Sequence, residues 1–199
     1  MDLSLIIPTC GRKTLSRTLL SAQNAGILPN DEVIVVGDGP QPVAEEICRD
    51  FQLRIPVTYL EGPRTRCWGH AQRNLGMSKA TKETLIFIDD DDEYNENAIS
   101  EIRRKSDESQ GRIVLGRVKH RSIGVIWRDM NVRIGNVSTQ MIVVPNIPSR
   151  LGFWVPMQGG DFAFLYQTVQ KWPGKEDGIA WWWPILATHH PCPDDPSRY

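Results

Sequence analysis

Nowhere in this sequence do about 18 apolar residues follow one another, so no segment reads as a membrane span. The first apolar run, Leu3 to Ile7, is too short for a secretory signal and lacks its basic flank. No Cys-x-x-Cys pair occurs. Cys10, Cys48, Cys67 and Cys192 stand far apart, which argues against a zinc ribbon or thioredoxin-type site and suits packing thiols in a reducing, cytoplasmic setting. Histidine is sparse, with 4 residues, which speaks against a zinc enzyme. Net charge is almost nil: 23 Lys plus Arg against 24 Asp plus Glu leaves −1, so bulk electrostatics would not coat nucleic acid. Internal repeats and low-complexity linkers are missing too, and 199 residues favour one domain, 1–199. Tryptophan, by contrast, is plentiful at 7 residues, three of them consecutive (Trp181, Trp182, Trp183).

The first half, 1–110, alternates strand and helix patterns. Leu3–Pro8, Glu32–Val36, Pro56–Leu60 and Thr84–Asp89 read as buried strands; Thr14–Ala25, Pro42–Phe51, His70–Ser78 and Asn97–Ser109 read as helices. Gly26 is a helix stop, and Pro42 sits at a helix start, where its missing N–H costs nothing. Near-continuous apolar strands separated by helices predict an α/β fold with a mostly parallel sheet covered on both faces. In the second half, 111–199, Arg112–Lys119 and Ile123–Val132 resemble a hairpin. Thr139–Val144 and Gly178–Ala187 read as strands and Asp161–Gln170 as a helix, a smaller and more antiparallel half; the tail His189–Tyr199 shows no pattern.

Ligands of open α/β sheets bind at the carboxyl ends of the strands. Here those ends carry Pro8-Thr9, Gly37-Asp38-Gly39 and Asp89-Asp90-Asp91-Asp92. Four adjacent carboxylates after a buried strand repel one another unless a cation offsets them, and hard divalent ions take such oxygen ligands. On a strand, alternate residues point the same way, so Asp89 and Asp91 would face one ligand and Asp90 the other side.

The ordered series Ser4–Arg12 (SLIIPTCGR), Val33–Gly39 (VIVVGDG), Ala71–Glu83 (AQRNLGMSKATKE), Leu85–Tyr94 (LIFIDDDDEY) and Gly159–Phe164 (GGDFAF) resembles the motifs of family 2-type glycosyltransferases. The resemblance spans about Leu3 to Thr168 and implies a GT-A fold acting on a nucleotide-sugar, with UDP the family's commonest nucleotide. It implies that Asp38 contacts base or ribose, although Gly37 stands where the family has a second acid. Pro8 and Thr9 would line the base pocket, Arg73 would reach toward the base with Asn74 beside it, and Arg12 joins the donor-binding residues. Asp89 would lean toward sugar or ribose, with Asp90 in the same donor group, while Asp91 would ligate Mn²⁺ or Mg²⁺ and Asp92 would support it. Asp161 matches the catalytic base of inverting members, with Gly160 replacing the family's Glu.

Three features lie beside this series. His189 or its neighbour His190 offers an imidazole to the metal. The tryptophan run would bury one face and present the other as a stacking platform. Arg112, Arg117, Lys119, Arg121, Arg128 and Arg133, against a single Asp129, would form a basic ribbon. If it is more than edge-strand protection, it points to an anionic acceptor: a lipid phosphate, a phosphorylated glycan or a modified DNA base. The motifs fill the chain, leaving no space within it for a separate acceptor module. Two other readings stay open: a nucleotidyltransferase, which has no need of Asp161, and a non-catalytic nucleotide-sugar-binding module, which has no need of metal and base together. A P-loop is excluded because Gly11–Thr14 lacks the required glycine spacing, and the Asp92-Glu93 continuation does not suit a haloacid-dehalogenase-type phosphatase.

Overall fold

The computed structural model describes residues 1–190. Its first half is a parallel sheet: β1 (Leu3–Thr9), β2 (Glu32–Asp38), β3 (Val57–Gly62) and β4 (Thr84–Phe87), connected by helices α1 (Leu15–Ala25), α2 (Pro42–Phe51) and α3 (His70–Lys79). There follow β5 (Glu93–Tyr94), α4 (Ala98–Glu108), β6 (Ile113–His120), β7 (Gly124–Ile126), β8 (Ile142–Pro145), α5 (Gly160–Lys171) and β9 (Ile179–His189). All pair into one sheet of order β3-β2-β1-β4-β8-β6-β9-β5, with β7 beside β6.

Every residue of β1 is buried, as expected of a central parallel strand with both faces covered. Leu3, Leu5 and Ile7 enter one core with residues of α1, α2 and α4, whereas Ile6 enters the other with Phe87, Trp154, Phe164 and Val169. This period-2 partition is the physical content of the apolar runs in the sequence. Gly76 lets α3 lie close on the sheet, because a Cβ there would come within 2.6 Å of the Ile6 side chain.

The second half departs from expectation in several places. β8 and β6 are antiparallel as foreseen, but β6 and β9 run parallel, so both bring their carboxyl ends to the edge where β1 and β2 end. β9 continues to His189, two residues beyond the expected stop. The hairpin β6–β7 forms, yet β7 has three residues rather than the run Ile123–Val132. Beyond Ile126 the chain leaves the ladder: Trp127 turns into the core, and Asn136 gathers the segment by bonding Arg128 N, Asp129 O and Asn131 O. Thr139–Met141 is a 3-10 turn, and only Ile142–Pro145 is strand. β5 was not foreseen, because two residues carry no period. α4 starts at Ala98; Asn97 precedes it in left-handed backbone with φ 61°.

The basic segment does not form one ribbon. Arg112 donates to the carbonyls of Asp177, Gly178 and Ile179 at the start of β9, and Arg133 pairs with Asp129. Arg117 lies 4.9 Å over the exposed ring of Trp183, while Lys119 and Arg121 are exposed near the hairpin tip. Of the tryptophan run, Trp182 is buried and Trp183 is 58% exposed. The register shifts opposite this stretch, so strict alternation is lost and Trp181 packs against both cores. Cys48 is a buried packing thiol, but Cys10 is exposed and Cys67 half-buried, because both sit in loops at strand ends. Cys192 and the tail beyond His190 lie outside the described residues. No helix among the described residues is long and apolar enough to cross a membrane.

Candidate active site

The acidic run is not a strand. β4 ends at Phe87, and Asp92 N donates to Asp89 O, so Asp89–Asp92 form a turn and their carboxylates splay rather than alternate. Each acid meets a different neighbour. Asp90, 2% exposed, accepts from Thr9 Oγ1 at 2.6 Å and pairs with Arg12 at 2.7 Å. Asp89 pairs with Arg73. Asp92 accepts from Gln140 Nε2 and from His190 N at 2.8 Å, and faces His189 Nδ1 at 3.0 Å. Asp91 is the odd one out. Its nearest cation is Arg12, 3.8 Å away and already held by Asp90, and no hydrogen bond to its carboxylate is found among the described residues. Burial, then the charges of Asp89 and Asp92, push the Asp91 carboxyl up to about 7. Asp90 and Asp92 are raised as well, first by burial, with Arg12 opposing at Asp90 and the His189 hydrogen bond opposing at Asp92.

His189 is partly desolvated, which works against its protonation, but Asp92 and the neighbouring acids outweigh this and raise its pKa. With Nδ1 turned to Asp92, Nε2 is the ring nitrogen left for another ligand, an arrangement in which a carboxylate fixes the tautomer of a metal-binding imidazole. Among the described residues no three His, Cys, Asp or Glu side chains converge as a complete metal cage. Mg²⁺-type ions bound through one or two carboxylates plus substrate phosphates need no such cage. The under-neutralised, hard-oxygen Asp91 with His189 nearby fits that mode.

The second cluster centres on Arg73, buried in α3. It donates to Asp89 and, at 2.8 Å, to Trp68 O, and its guanidinium lies 4.8 Å over the Trp154 ring. Asp161, half-buried in the first turn of α5, accepts from Phe162 N at 2.7 Å. Burial raises its pKa, Asp89 adds to the rise, and Phe162 N and Arg73 oppose it. Asp161 is thus a carboxylate held above its ordinary range within the field of Arg73 and Asp89. His70, against Gly160, is pushed down to about 4 by burial and then by Arg73, so it is neutral near pH 7.

Both departures from the family pattern have a steric cause. A Cβ on Gly160 would meet His70 Cε1 at 2.5 Å, and one on Gly37 would meet Tyr59 Oη at 2.3 Å. Neither position accepts the family's acid in this packing.

The remaining expected residues divide. Thr9 and Arg12 are at the site, committed to Asp90. Pro8 is buried beneath Gly69, whose Cβ position lies 2.6 Å from it. Asp38 spends its carboxylate on the loop before α3, accepting from Thr65 N at 2.5 Å, Arg66 N at 2.9 Å and Gln72 Nε2 at 3.0 Å. Asn74 is turned away: its amide donates to Trp154 O at 2.9 Å and accepts from Trp154 N at 3.0 Å, so it ties α3 to the second half.

Gln140 was not foreseen, and nothing local in the sequence marks it. Ser138 Oγ donates to Gln140 Oε1 at 2.6 Å, which fixes the amide so that Nε2 faces Asp92 and, at 3.4 Å, Asp89. Replacing Gln140 by Leu keeps the volume but strips two acids of a donor. A loss of about 1–3 kcal/mol is expected in urea unfolding; an unchanged midpoint would show that the bond carries no net stability.

Residues 4–169 match the model of glycosyl transferase family 2, and the chain belongs to that family. Over 93 residues it is 36% identical to chondroitin synthase of Escherichia coli, covering 45% of this chain and 13% of that protein. Over 119 residues it is 29% identical to GalNAc(5)-diNAcBac-PP-undecaprenol beta-1,3-glucosyltransferase of Campylobacter jejuni, covering 56% of this chain and 36% of that one. The matched stretch is therefore a minor part of these relatives. Among solved structures, S. aureus TarS 1–349 in complex with UDP superposes with a TM-score of 0.78 at 16% identity, covering 95% of this chain and 60% of that chain. This likeness shows that the fold is GT-A.

Proposed function

We propose that this chain transfers a sugar from a UDP-sugar to an acceptor hydroxyl with inversion, assisted by Mn²⁺ or Mg²⁺. The observation that carries the reading is the meeting of Asp91, the Arg73–Asp89 pair and Asp161 at the carboxyl edge of a GT-A sheet. Family membership supports the reaction class, and the UDP complex of TarS supports the nucleotide.

Asp161 takes the proton of the acceptor hydroxyl as that oxygen bonds to the anomeric carbon. The carbon–oxygen bond to the diphosphate breaks, its electron pair leaves with UDP, and attack from the opposite face inverts the centre. Asp91 and His189 Nε2 would hold the divalent ion, which as a Lewis acid offsets charge on the leaving diphosphate. Arg73 holds Asp89 in place, and Thr9 with Arg12 fixes Asp90, so the turn keeps its shape when the donor arrives.

The test is thermal unfolding with nucleoside diphosphates in the presence and absence of Mn²⁺. Saturation at about 100 Kd adds roughly 2.7 kcal/mol, so UDP with Mn²⁺ should raise the midpoint clearly more than UDP alone, and more than ADP, GDP or CDP with Mn²⁺. No shift with any of them would overturn the donor reading. Binding of UDP-sugar without any release of UDP would favour the non-catalytic module instead.

A further inference from the structure

We propose that the β6–β7 hairpin, with the bulge of β9 beside it, docks this chain on an anionic lipid bilayer. Such docking needs no donor and stands apart from the transfer reaction.

β9 carries extra residues against β6. Leu115 pairs with Trp181 and Arg117 with Ile185, so Gly116 stands opposite Trp182, Trp183 and Pro184. Proline, which cannot donate to a ladder, suits such a bulge. Gly116 leaves the needed room, because a Cβ there would come within 2.3 Å of Leu186. A bulge re-aims side chains. Here Trp182 is buried and Trp183 is 58% exposed. The exposed indole is braced on two sides. Arg117 Nε donates to Trp183 O at 2.5 Å, and its guanidinium lies 4.9 Å from the ring centroid. Buried Trp127 meets the same ring at 5.0 Å. A large apolar ring is thus fixed at the surface rather than folded away.

The surface beside it is basic. Along β6 half-buried Arg117, buried Val118 and exposed Lys119 alternate, so Lys119 shares the face of Arg117, and it pairs across the hairpin with Val125. The turn 121–123 exposes Arg121 and Ile123, the latter 49% exposed. Arg128 reaches back and donates to Ile123 O at 3.0 Å. Trp183, Val125 and Ile123 are therefore interleaved with Arg117, Lys119, Arg121 and Arg128. Asp129, the one acid of 112–138, is spent on Arg133 at 2.7 Å, and among the described residues none of these four cations has an ion pair.

Uncompensated cations beside exposed apolar side chains complement an anionic headgroup layer, which attracts the charges while an indole settles at the interface and an aliphatic tip enters the acyl boundary. A polynucleotide would also meet the cations and Trp183. It would leave Ile123 in water, since an aliphatic side chain offers no flat face to a base. The turn lies at the carboxyl end of β6, where His120 stacks at 4.5 Å on His189, the partner of Asp92. A bilayer seated on the hairpin therefore lies beside the candidate site.

The experiment is co-flotation with phosphatidylcholine vesicles, with and without phosphatidylglycerol. At low salt, binding should be at least about tenfold stronger with phosphatidylglycerol, since each basic side chain near an anionic surface is worth about fivefold in partitioning. It should vanish in about 1 M salt, where the Debye length is about 3 Å. Lys119→Glu/Arg121→Glu should lose at least about tenfold, and Trp183→Ser should also bind more weakly. All three side chains are exposed, so the thermal midpoint should stay put. Lys79→Glu/Lys175→Glu changes the net charge equally at exposed positions on the opposite edge of the sheet, and should bind as the wild type does. Equal binding to neutral vesicles overturns the proposal, as does an unchanged hairpin variant or an equal loss in the Lys79/Lys175 control. An unchanged Trp183→Ser overturns the role of the bulge. A wild type that binds a DNA duplex but no vesicle assigns the surface to polyanions in solution and overturns the bilayer.

Discussion

Asp161→Asn is expected to slow sugar transfer by about 10²–10⁴-fold, the usual worth of a general base, while UDP binds as before. The variant is chosen for its structural neutrality. The Asn side-chain oxygen can still accept from Phe162 N in the first turn of α5, so the unfolding midpoint should hardly move. Transfer in the wild type should also fall on the acid side with a midpoint above that of an ordinary aspartate, since burial and Asp89 raise Asp161 against the opposition of Phe162 N and Arg73. Protonation removes the base, so the rate is lost as pH drops through that raised value. Single-turnover measurements with saturating donor isolate this step. An Asp161→Asn enzyme at wild-type speed would place the base elsewhere.

Asp91→Asn is expected to abolish the stimulation of UDP release by Mn²⁺ and, in metal-free buffer, to make the protein more stable. The two effects have one origin. Asp91 is buried among like charges, and its carboxyl titrates at about 7. A carboxylate whose folded pKa exceeds its unfolded one costs stability as pH rises from about 4 to 7, because the folded state must give up a proton it holds. Removing the charge should recover on the order of 2–4 kcal/mol above pH 7. Thermal unfolding with and without Mn²⁺ checks both halves. Retained Mn²⁺ stimulation would end the assignment of Asp91 to the metal, and a destabilised variant would mean its charge is better compensated than its neighbours indicate.

How much of this was legible in the sequence depends on range. The strands β1, β2 and β4 announced themselves because a central parallel strand needs apolar residues on both faces, and such runs are local. The ordered motifs named the residues of the candidate site, but their geometry was not legible. Asp89 and Asp91 were read as alternating on a strand, whereas β4 stops at Phe87 and the acids form a turn. Asn74 sits in the motif, yet its amide is consumed by Trp154, 80 residues away. Gln140 escaped because its meaning lies wholly in tertiary contacts: it is fixed by Ser138 against Asp92. The Ile123–Val132 strand failed for a related reason, since a single asparagine, Asn136, outcompetes the ladder for the backbone groups that follow β7.

The parallel pairing of β6 with β9 has a consequence for the order in which the molecule forms. Asp92 receives His189 and His190 N from partners 97 and 98 residues downstream, across a strand that slots between β6 and β5. Contacts so distant along the chain carry a loop-closure cost before they return anything, and they form late. The parallel half can assemble from neighbours in sequence while its acidic turn still faces water. Closure of the acidic turn against His189 and His190 is therefore expected among the last events of folding.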